Sequence, residues 1–315
     1  MLRILHGTHY DFIKHWRTAA ILTVAFILLG IGSAMFKGGF PYSIEFTGGT
    51  LLQVQFTAVP DVAKMRTTLD AAGITGAEIA TFGSNLDYTI RAQGAAQVAA
   101  QAAGAEKVAA QIEAALKQGG VGEFKVMYYE SVGPRVGAEL RRGAIIAVLI
   151  SFLVTLAYLA WRFEWRFGLS AVLATAHDVL TTLAFIKLLH LEISLTVIAA
   201  VLTVIGYSLN DTIIIFDRVR ENLHKNRKKS FYDLLNESVN ETLPRSILTH
   251  ATTLAATISL LILAGEVIRP FAWVMSFGIF TGTFSSIYVA SPILMWIENK
   301  YPRVNEAKST ARPRP

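Results

Sequence analysis

The chain has 315 residues and a formal net charge of +6; 53% of the residues are hydrophobic and only 17% are charged. A soluble domain usually carries about 25% charged residues, so this composition excludes an ordinary soluble protein and indicates one that lies in a membrane. No cysteine is present, which excludes disulfides, thiolate catalysis and cysteine-ligated metals. We predict neither a cofactor nor a metal site.

Six runs along the chain are uncharged or nearly so, and each is long enough for the helix of about 20 residues that crosses a bilayer core. The first run follows Lys14 and Arg17, as in a signal peptide, but it exceeds the about 7–15 apolar residues of a cleavable signal. We therefore predict an uncleaved anchor followed by five further spans. The predicted spans are 18–36, 143–161, 167–186, 193–216, 246–265 and 271–297.

The orientation follows from the basic residues of the connecting segments, because cytoplasmic loops are enriched in Lys and Arg. If the N-terminus is cytoplasmic, the two short outside loops carry one basic residue each, whereas the inside segments carry many more. Both termini are therefore predicted to be cytoplasmic. The basic run at 225–229 is then an inside signal or a dock for a cytoplasmic partner, and no nucleic-acid site is predicted. The inside segments 1–18, 162–166, 218–245 and 298–315 carry 3, 2, 7 and 5 Lys or Arg residues.

The segment between the first two spans, 37–142, is predicted to form an extracytoplasmic α+β domain. Alternating apolar residues favour strands, and helical spacing favours helices, in the order β-α-β-β-α-β of ferredoxin-like domains. The open face of the sheet would meet either water or another protein. The predicted elements are strand 50–57, helix 60–72, strand 77–82, the turn GSNLD, strand 88–92, helix 95–118 and strand 122–132.

The predicted fold is thus an α-helical membrane protein with six transmembrane helices and one ferredoxin-like domain between the first two. Its predicted parts are the N-terminus with the first span, 1–36, the domain, 37–142, a five-helix bundle, 143–297, and a disordered tail, 298–315.

Ionisable residues interrupt the predicted spans. Asp178 lies in span three, the pair Asn210 and Asp211 in span four, and Arg245 at the start of span five. An Asp at the centre of a membrane helix costs about 2.5–3.5 kcal/mol on insertion scales, so such residues face the bundle interior and mark ion pathways. Because burial favours the neutral acid, we predict that these four residues form a proton relay in which Asp211 binds the proton. A purely structural, hydrogen-bonded role is the alternative.

Arg245 is the predicted partner of Asp211. Pro244 suits the first turn of a helix, so Arg245 would enter span five beside the cytoplasmic end of span four. A linker of 24 residues, 220–243, would let the two helix ends shift relative to each other. The alternative is that Arg245 only anchors the inside end of span five.

Three further residues are candidates for gating: Asp217 and Arg218 at the end of span four, and His250 in span five. Ordinary interfacial charges and a packing histidine are the alternatives. In the domain, Gly48 and Gly49 are predicted to form a tight turn that needs the backbone freedom of glycine and that places the following strand over the membrane. An ordinary loop is the alternative there.

An enzymatic interpretation also exists, because two aspartates on adjacent membrane helices could share one proton as in an aspartic protease. The sequence has no GxGD motif, since SLN precedes Asp211, and neither HExxH nor GxSxG occurs. We therefore predict that the chain is not an enzyme.

Motifs along essentially the whole chain resemble those of the SecF family, which forms part of bacterial protein export and belongs to the RND superfamily. The most specific is GYSLNDTIIIFDRVREN in span four; the GG turn motif carries Glu45 where the family usually has Asp. The other motifs are IEFTGGT at 44–50, SVGPRVGAEL before span two, HDVLTTL in span three, TLPRSILTHATTLAA in span five and GEVIRPFAWVMSFGIFTGTFSSIYVASP at the last loop and span six.

The resemblance implies a half-transporter in the bacterial inner membrane that pairs with the homologous SecD subunit and associates with the SecYEG channel. It implies use of the proton-motive force to promote export of polypeptide substrates, with Asp211 and Arg245 as the proton-linked pair. His250 stands where a small residue is expected. The alternative is half of an RND-type proton-driven exporter of lipid or small molecules, which would normally need larger outside domains.

Overall fold

The computed structural model describes residues 8–36, 38–92, 105–226, 228–265 and 267–302. Within these ranges, six helices are long and apolar enough to cross a membrane, which confirms the six predicted spans. Most of them are longer than predicted, because helix-forming polar residues continue each helix beyond its apolar run. The helices are Ile13–Phe36, Arg135–Arg162, Trp165–Leu188, Leu195–Lys225, Phe231–Leu263 and Arg269–Lys300.

The connection between spans four and five differs most from the prediction. Span four continues to Lys225, and span five begins at Phe231 behind the cap Ser230, whose hydroxyl accepts from the Asp233 N–H. The predicted linker of 24 residues is therefore wrong, and residues 226–230 are all that separates the two helices. Pro244, predicted in the first helical turn, lies inside span five instead. Proline lacks the N–H that a helix interior uses, so one backbone hydrogen bond is missing there.

Spans three, four and six form the centre of the bundle: half or more of the residues in their apolar windows are buried, against a small fraction in the other three. Small residues allow this close packing. A Cβ atom on Gly282 of span six would lie 3.1 Å from the Cα of Ser208 in span four, and one on Gly278 would collide with Val204.

Span six is not a uniform α-helix. Its first part, Arg269–Ser285, is followed by a wider π-type turn at Ser286–Ala290 and then by the helix Ser291–Lys300. The Ser291 hydroxyl donates to the Ser286 carbonyl across this turn at 2.9 Å. Such turns are frequent at functional sites, and this one begins next to Ser285, whose hydroxyl contacts the buried Asp178 described below.

The segment between spans one and two forms the predicted α+β domain with a four-stranded antiparallel sheet. Its strands are β1 (Gly49–Phe56), β2 (Glu78–Phe82), β3 (Ser84–Ala92) and β4 (Phe124–Val132), in the spatial order β2-β3-β1-β4. Helices Val62–Ala71 and Ala105–Gln118 complete the β-α-β-β-α-β order that the sequence predicted. Residues 95–104 of the second predicted helix lie outside the described residues, as does most of the predicted tail.

The β2–β3 hairpin is tighter than expected. Strand β3 begins at Ser84, so most of the predicted five-residue turn GSNLD belongs to the strand. Gly83 adopts a φ of 80°, and Phe82 pairs with Ser84 across it. One residue in the left-handed region suffices to reverse the chain, because glycine has no Cβ to oppose it.

The domain core lies between the sheet and its helices. Alternate residues of β1, Leu52, Val54 and Phe56, are buried against the helices, whose inward residues include Met65 and Ile112. Because successive side chains of a strand point to opposite faces, the other face of the sheet is left with its polar residues.

The two glycines of the GG motif lie where the chain enters β1: Gly48 directly precedes the strand and Gly49 is its first residue. Gly48 has a φ of 74° and Gly49 a φ of 125°, which are conformations that other L-residues rarely adopt. Gly137 of span two approaches the same turn, since a Cβ atom there would lie 3.1 Å from the Gly48 nitrogen.

The second part of the loop between spans three and four belongs to the same compact unit as the domain, which comprises 41–147 and 192–195. The Ile193 N–H donates to the Pro41 carbonyl at 2.8 Å, and Arg91 forms an ion pair with Glu192. Glu45 accepts the N–H of Leu195, the first residue of span four, at 2.6 Å. A carboxylate from the GG motif thus caps the start of this helix.

Candidate proton-relay site

Asp211 lies near the middle of span four, and only 2% of its surface is exposed. One carboxylate oxygen, Oδ1, accepts the hydroxyl of Ser246 in span five at 3.0 Å. The other, Oδ2, lies 3.5 Å from Nδ1 of His250, which is also buried. A carboxylate between one hydroxyl and one imidazole can hold a proton or pass it on.

Helix geometry explains which residues of span five reach Asp211. Ser246 and His250 are four residues apart, so they lie on one face of the helix. Arg245 is about 100° around the helix from Ser246. It is exposed and, among the residues that the structure describes, forms no ion pair. The predicted ion pair of Asp211 with Arg245 is therefore not formed in this structure.

Asp178 of span three is a second buried carboxylate, with 1% of its surface exposed. Its Oδ2 accepts hydroxyls from Ser208 of span four and from Ser285 of span six, the latter at 2.7 Å. Its Oδ1 lies 3.0 Å from Nδ1 of the neighbouring His177. Asp178 thereby connects the three central spans.

The groups around the two carboxylates lie near each other along span four. Ser208 and Asp211 are three residues apart on span four and share its face. Next to them along the two helices, the hydroxyls of Thr212 and Ser286 lie 2.8 Å apart. Sequence reasoning missed these hydroxyl residues, because Ser and Thr are common in membrane helices. Their spacing of three or four residues from an aspartate is the signal that could have found them.

The remaining predicted site residues lie elsewhere. The two carboxylate oxygens of Asp217 accept hydrogen bonds from the Arg162 guanidinium of span two at 3.0 and 2.8 Å. Arg218 donates hydrogen bonds to Glu241 and Glu221. In the described part of the chain, neither Asp217 nor Arg218 is hydrogen-bonded to Asp211. Asn210 is exposed on the bundle surface. Within the described ranges, no three acidic or histidine side chains converge as metal ligands do.

The fold and the site together define a class of protein. A multi-pass helical bundle encloses two carboxylates with hydroxyl and imidazole partners, the arrangement found in the proton relays of pumps and transporters.

Comparison with known proteins identifies the family. The family model for the C-terminal region of protein export membrane protein SecD/SecF matches residues 111–300, and the family model for the SecD/SecF GG motif matches residues 33–58. The chain is 62% identical to protein translocase subunit SecF of Gemmatimonas aurantiaca, over 99% of this chain and 94% of that protein. It is 40% identical to the subunit of the same name from Rickettsia felis, over 88% and 86% of the two chains.

Solved structures agree with this. SecDF of Thermus thermophilus, described as a translocon-associated membrane protein, matches with a TM-score of 0.82 at 35% identity, over 95% of this chain and 40% of that one. SecDF in a super-membrane-facing form matches with a TM-score of 0.68 at 33% identity, over 98% and 41%. This chain thus spans about two fifths of the SecDF chains that it matches.

The chain belongs to the SecD/SecF family of protein-export membrane proteins, on its SecF side. The resemblance found in the sequence motifs is thereby confirmed. The protein is a multi-pass membrane component of protein translocation.

Proposed function

We propose that this chain couples the proton-motive force to protein translocation, by reversible protonation of Asp211 within the bundle. The observation that carries the proposal is the burial of this carboxylate between Ser246 and His250 in the middle of a membrane helix. Such groups are expensive to place in a membrane and serve ion pathways. Asp178, linked to span four through Ser208, extends the relay toward span three.

A second subunit of the same six-span plan is part of the proposal. Asn210 and Arg245 are exposed on helices that cross the membrane, and polar groups that face lipid without partners are costly. A homologous SecD subunit packed on this surface would satisfy them. The relatives of known structure are named SecDF, which supports this partner for the chain.

In the proposed complex, the unit acts on exported polypeptides at the SecYEG channel in the bacterial inner membrane, with both termini in the cytoplasm. The basic segment at 218–245, which carries 7 Lys or Arg residues, supports this orientation. Arg245, next to Ser246, is the cation that engages Asp211 at another stage of the cycle.

The test is translocation of a secretory protein into inner-membrane vesicles, with and without an imposed proton gradient. Asp211→Asn keeps the shape of the side chain but cannot exchange a proton, so it is expected to abolish the gradient-dependent part of translocation. Asp70→Asn, an exposed position in the domain, is the matched control. Wild-type gradient dependence in the Asp211→Asn vesicles would refute the proposal.

Arg245 gives a second comparison in the same vesicles. Arg245→Ala is expected to uncouple translocation from the gradient. Arg245→Lys should retain part of the coupling, because the point charge survives although the planar guanidinium does not. Equal loss in both variants would mean that the charge is not what Arg245 contributes.

A further inference from the structure

We infer that His250 is a proton-carrying group: His250 and Asp211 form one buried pair that shares the relay proton. This inference rests on the proposed function of Asp211 and adds the group with which its proton is exchanged. The sequence singled out His250 without explaining why a histidine occupies this turn of span five.

The geometry aims the imidazole at the carboxylate. His250 is 8% exposed and Asp211 is 2% exposed, and Nδ1 of the one lies 3.5 Å from Oδ2 of the other. In the described part of the chain, this Nδ1 atom is buried without a hydrogen-bond partner. A normal N–H···O hydrogen bond is about 2.9–3.0 Å long, so a shift of about half an ångström joins the two groups.

The imidazole is held in place by Tyr207 of span four. The Tyr207 and His250 rings pack in an edge-to-face arrangement, with a centroid distance of 5.3 Å and an interplanar angle of 75°. The Tyr207 hydroxyl is itself fixed, 3.2 Å from the Thr249 carbonyl and 3.0 Å from the Thr253 hydroxyl. The ring of His250 therefore has little freedom to turn away from Asp211.

The proton balance of the pair is simple. When the O–H bond of the Asp211 acid breaks and an N–H bond forms at Nδ1, a neutral acid and a neutral imidazole become a carboxylate and an imidazolium. The net charge of the pair stays zero, so neither form leaves an unpaired charge in the bundle.

A guanidinium could not take this part. Arginine stays protonated at any accessible pH, so it can neutralise the Asp211 carboxylate but cannot accept its proton. Histidine is the side chain that changes charge near neutral pH. Among the charged and titratable groups around His250, span four contributes Asp211 and Tyr207. Arg245, on span five itself, is exposed. Asp178 of span three is engaged by Ser208, Ser285 and His177, and the sixth-span hydroxyls of Ser285 and Ser286 face Asp178 and Thr212.

The test uses the full chain labelled with ¹⁵N-histidine in lipid nanodiscs. The ring signals of His250 are assigned by their loss in His250→Gln and are followed over pH in the wild type and in Asp211→Asn. If the two groups share a proton, the two titration curves are expected to differ by about one pH unit or more, since a close opposite charge shifts a titration by that amount. Identical curves would overturn the inference.

The reciprocal measurement follows the Asp211 carboxyl band by infrared spectroscopy. His250→Gln should shift its titration, and His250→Asn serves as a second variant should the first fold poorly. His224→Gln, an exposed histidine near the end of span four, should leave the band unchanged. A band that titrates alike in the wild type and in every folded His250 variant would contradict the pair.

The vesicle assay separates this inference from the proposed function. With the pair confirmed by spectroscopy, His250→Gln should reduce gradient-dependent translocation at least tenfold, whereas His224→Gln should not. If Asp211→Asn vesicles kept their gradient dependence, the proposed function would fail although the spectroscopic pairing stood. If His250→Gln alone kept it, the imidazole would not be on the proton path.

Discussion

At the scale of single residues, the two buried aspartates of spans three and four are each hydrogen-bonded by short hydroxyl side chains. Asp211 and Asp178 are both satisfied by serine hydroxyls from neighbouring helices. A hydroxyl can donate to the ionised carboxylate and accept from the neutral acid. Serine partners therefore suit a group that changes its protonation state, which a fixed cation would hold in one form.

The N-terminal segment offers a pH-dependent contact outside the spans. The Tyr232 hydroxyl donates to Asp11 at 2.5 Å, and Asn236 donates to the same oxygen at 2.7 Å. The Tyr232 hydrogen bond is the main reason that the pKa of Asp11 is lowered from its ordinary value of 3.8. A lowered pKa in the folded state contributes stability above the unfolded value, and that stability is lost as the pH falls through the folded value.

We therefore predict that residues 8–12 detach from span five as the pH falls below about 4, the ordinary range of an aspartate. The amide exchange protection of this segment, corrected for the intrinsic exchange rate at each pH, should fall in the wild type as the pH drops from 6 to 3. Asp11→Asn should exchange fast at all these pH values, because the ionised acceptor is absent throughout. Pulse-labelled exchange that rises equally in both proteins would assign the effect to global unfolding instead.

At the scale of elements, the start of span four depends on the GG motif. A helix leaves its first N–H groups without partners inside the helix, and Glu45 supplies an acceptor for that of Leu195 at 2.6 Å. The Ser43 hydroxyl donates to the same Glu45 oxygen at 3.1 Å and so orients it.

Glu45→Ala is expected to cost about 0.5–2 kcal/mol, the range for loss of a helix cap. Glu45→Gln should cost less, because an amide oxygen still accepts but no longer adds a negative charge to the positive helix end. Thermal unfolding in detergent measures both. Glu113→Ala, which removes only a helix pair with Lys117 worth about 0.2–0.5 kcal/mol, is the control, and a loss no larger than this would argue against the cap.

The GG turn makes a separate prediction. Valine at both Gly48 and Gly49 would have to adopt their φ values of 74° and 125°, which costs about 1–3 kcal/mol per residue. We expect such a variant to insert into the membrane but to lose translocation and part of its thermal stability. Gly133→Val, at a position with open space around it, should behave as the wild type. Normal translocation by the double variant would show that the turn is an ordinary loop.

At the scale of the whole molecule, one proton carries enough energy to move the bundle. A charge that crosses the membrane potential gains about 2.3 kcal/mol per 100 mV, similar to the few kcal/mol that separate two conformations of a switchable protein. The short linker 226–230 and the bonds from Arg218 to Glu241 and from Asn222 to Ser238 tie spans four and five together. We therefore expect the cytoplasmic ends of these two spans to stay together, contrary to the independent shift that a long linker would allow.

The exposed Asn210 leads to a prediction about the affinity of the chain for a SecD subunit. Polar contacts between membrane helices contribute about 0.6–2 kcal/mol, so Asn210→Leu should weaken association with a SecD subunit about 3- to 30-fold. Association is measured by fluorescence energy transfer between labelled subunits in bilayers. Thr23→Leu, whose hydroxyl bonds only its own helix backbone in span one, should have no effect. An unchanged affinity for Asn210→Leu would place the interface elsewhere.

The sequence by itself determined the six spans, the order of strands and helices in the domain and the presence of carboxylates in the membrane. These are local properties: the length of an apolar run, the period of alternation and the rarity of a charge among apolar neighbours can each be seen along the chain. The same locality explains where prediction failed. An apolar run marks the part of a helix in lipid but not its polar continuation, so the linker before span five was made too long.

Only the tertiary structure decided which side chains meet Asp211. That contact depends on the rotation of span five about its axis, which is set by packing against spans four and six and not by the sequence near Arg245. A rotation of about 100° per residue separates Arg245 from Ser246, and the packed bundle turns Ser246 and His250 inward while Arg245 faces out. The hydroxyls that donate to the Asp178 carboxylate come from spans four and six, so no single stretch of sequence could have revealed them.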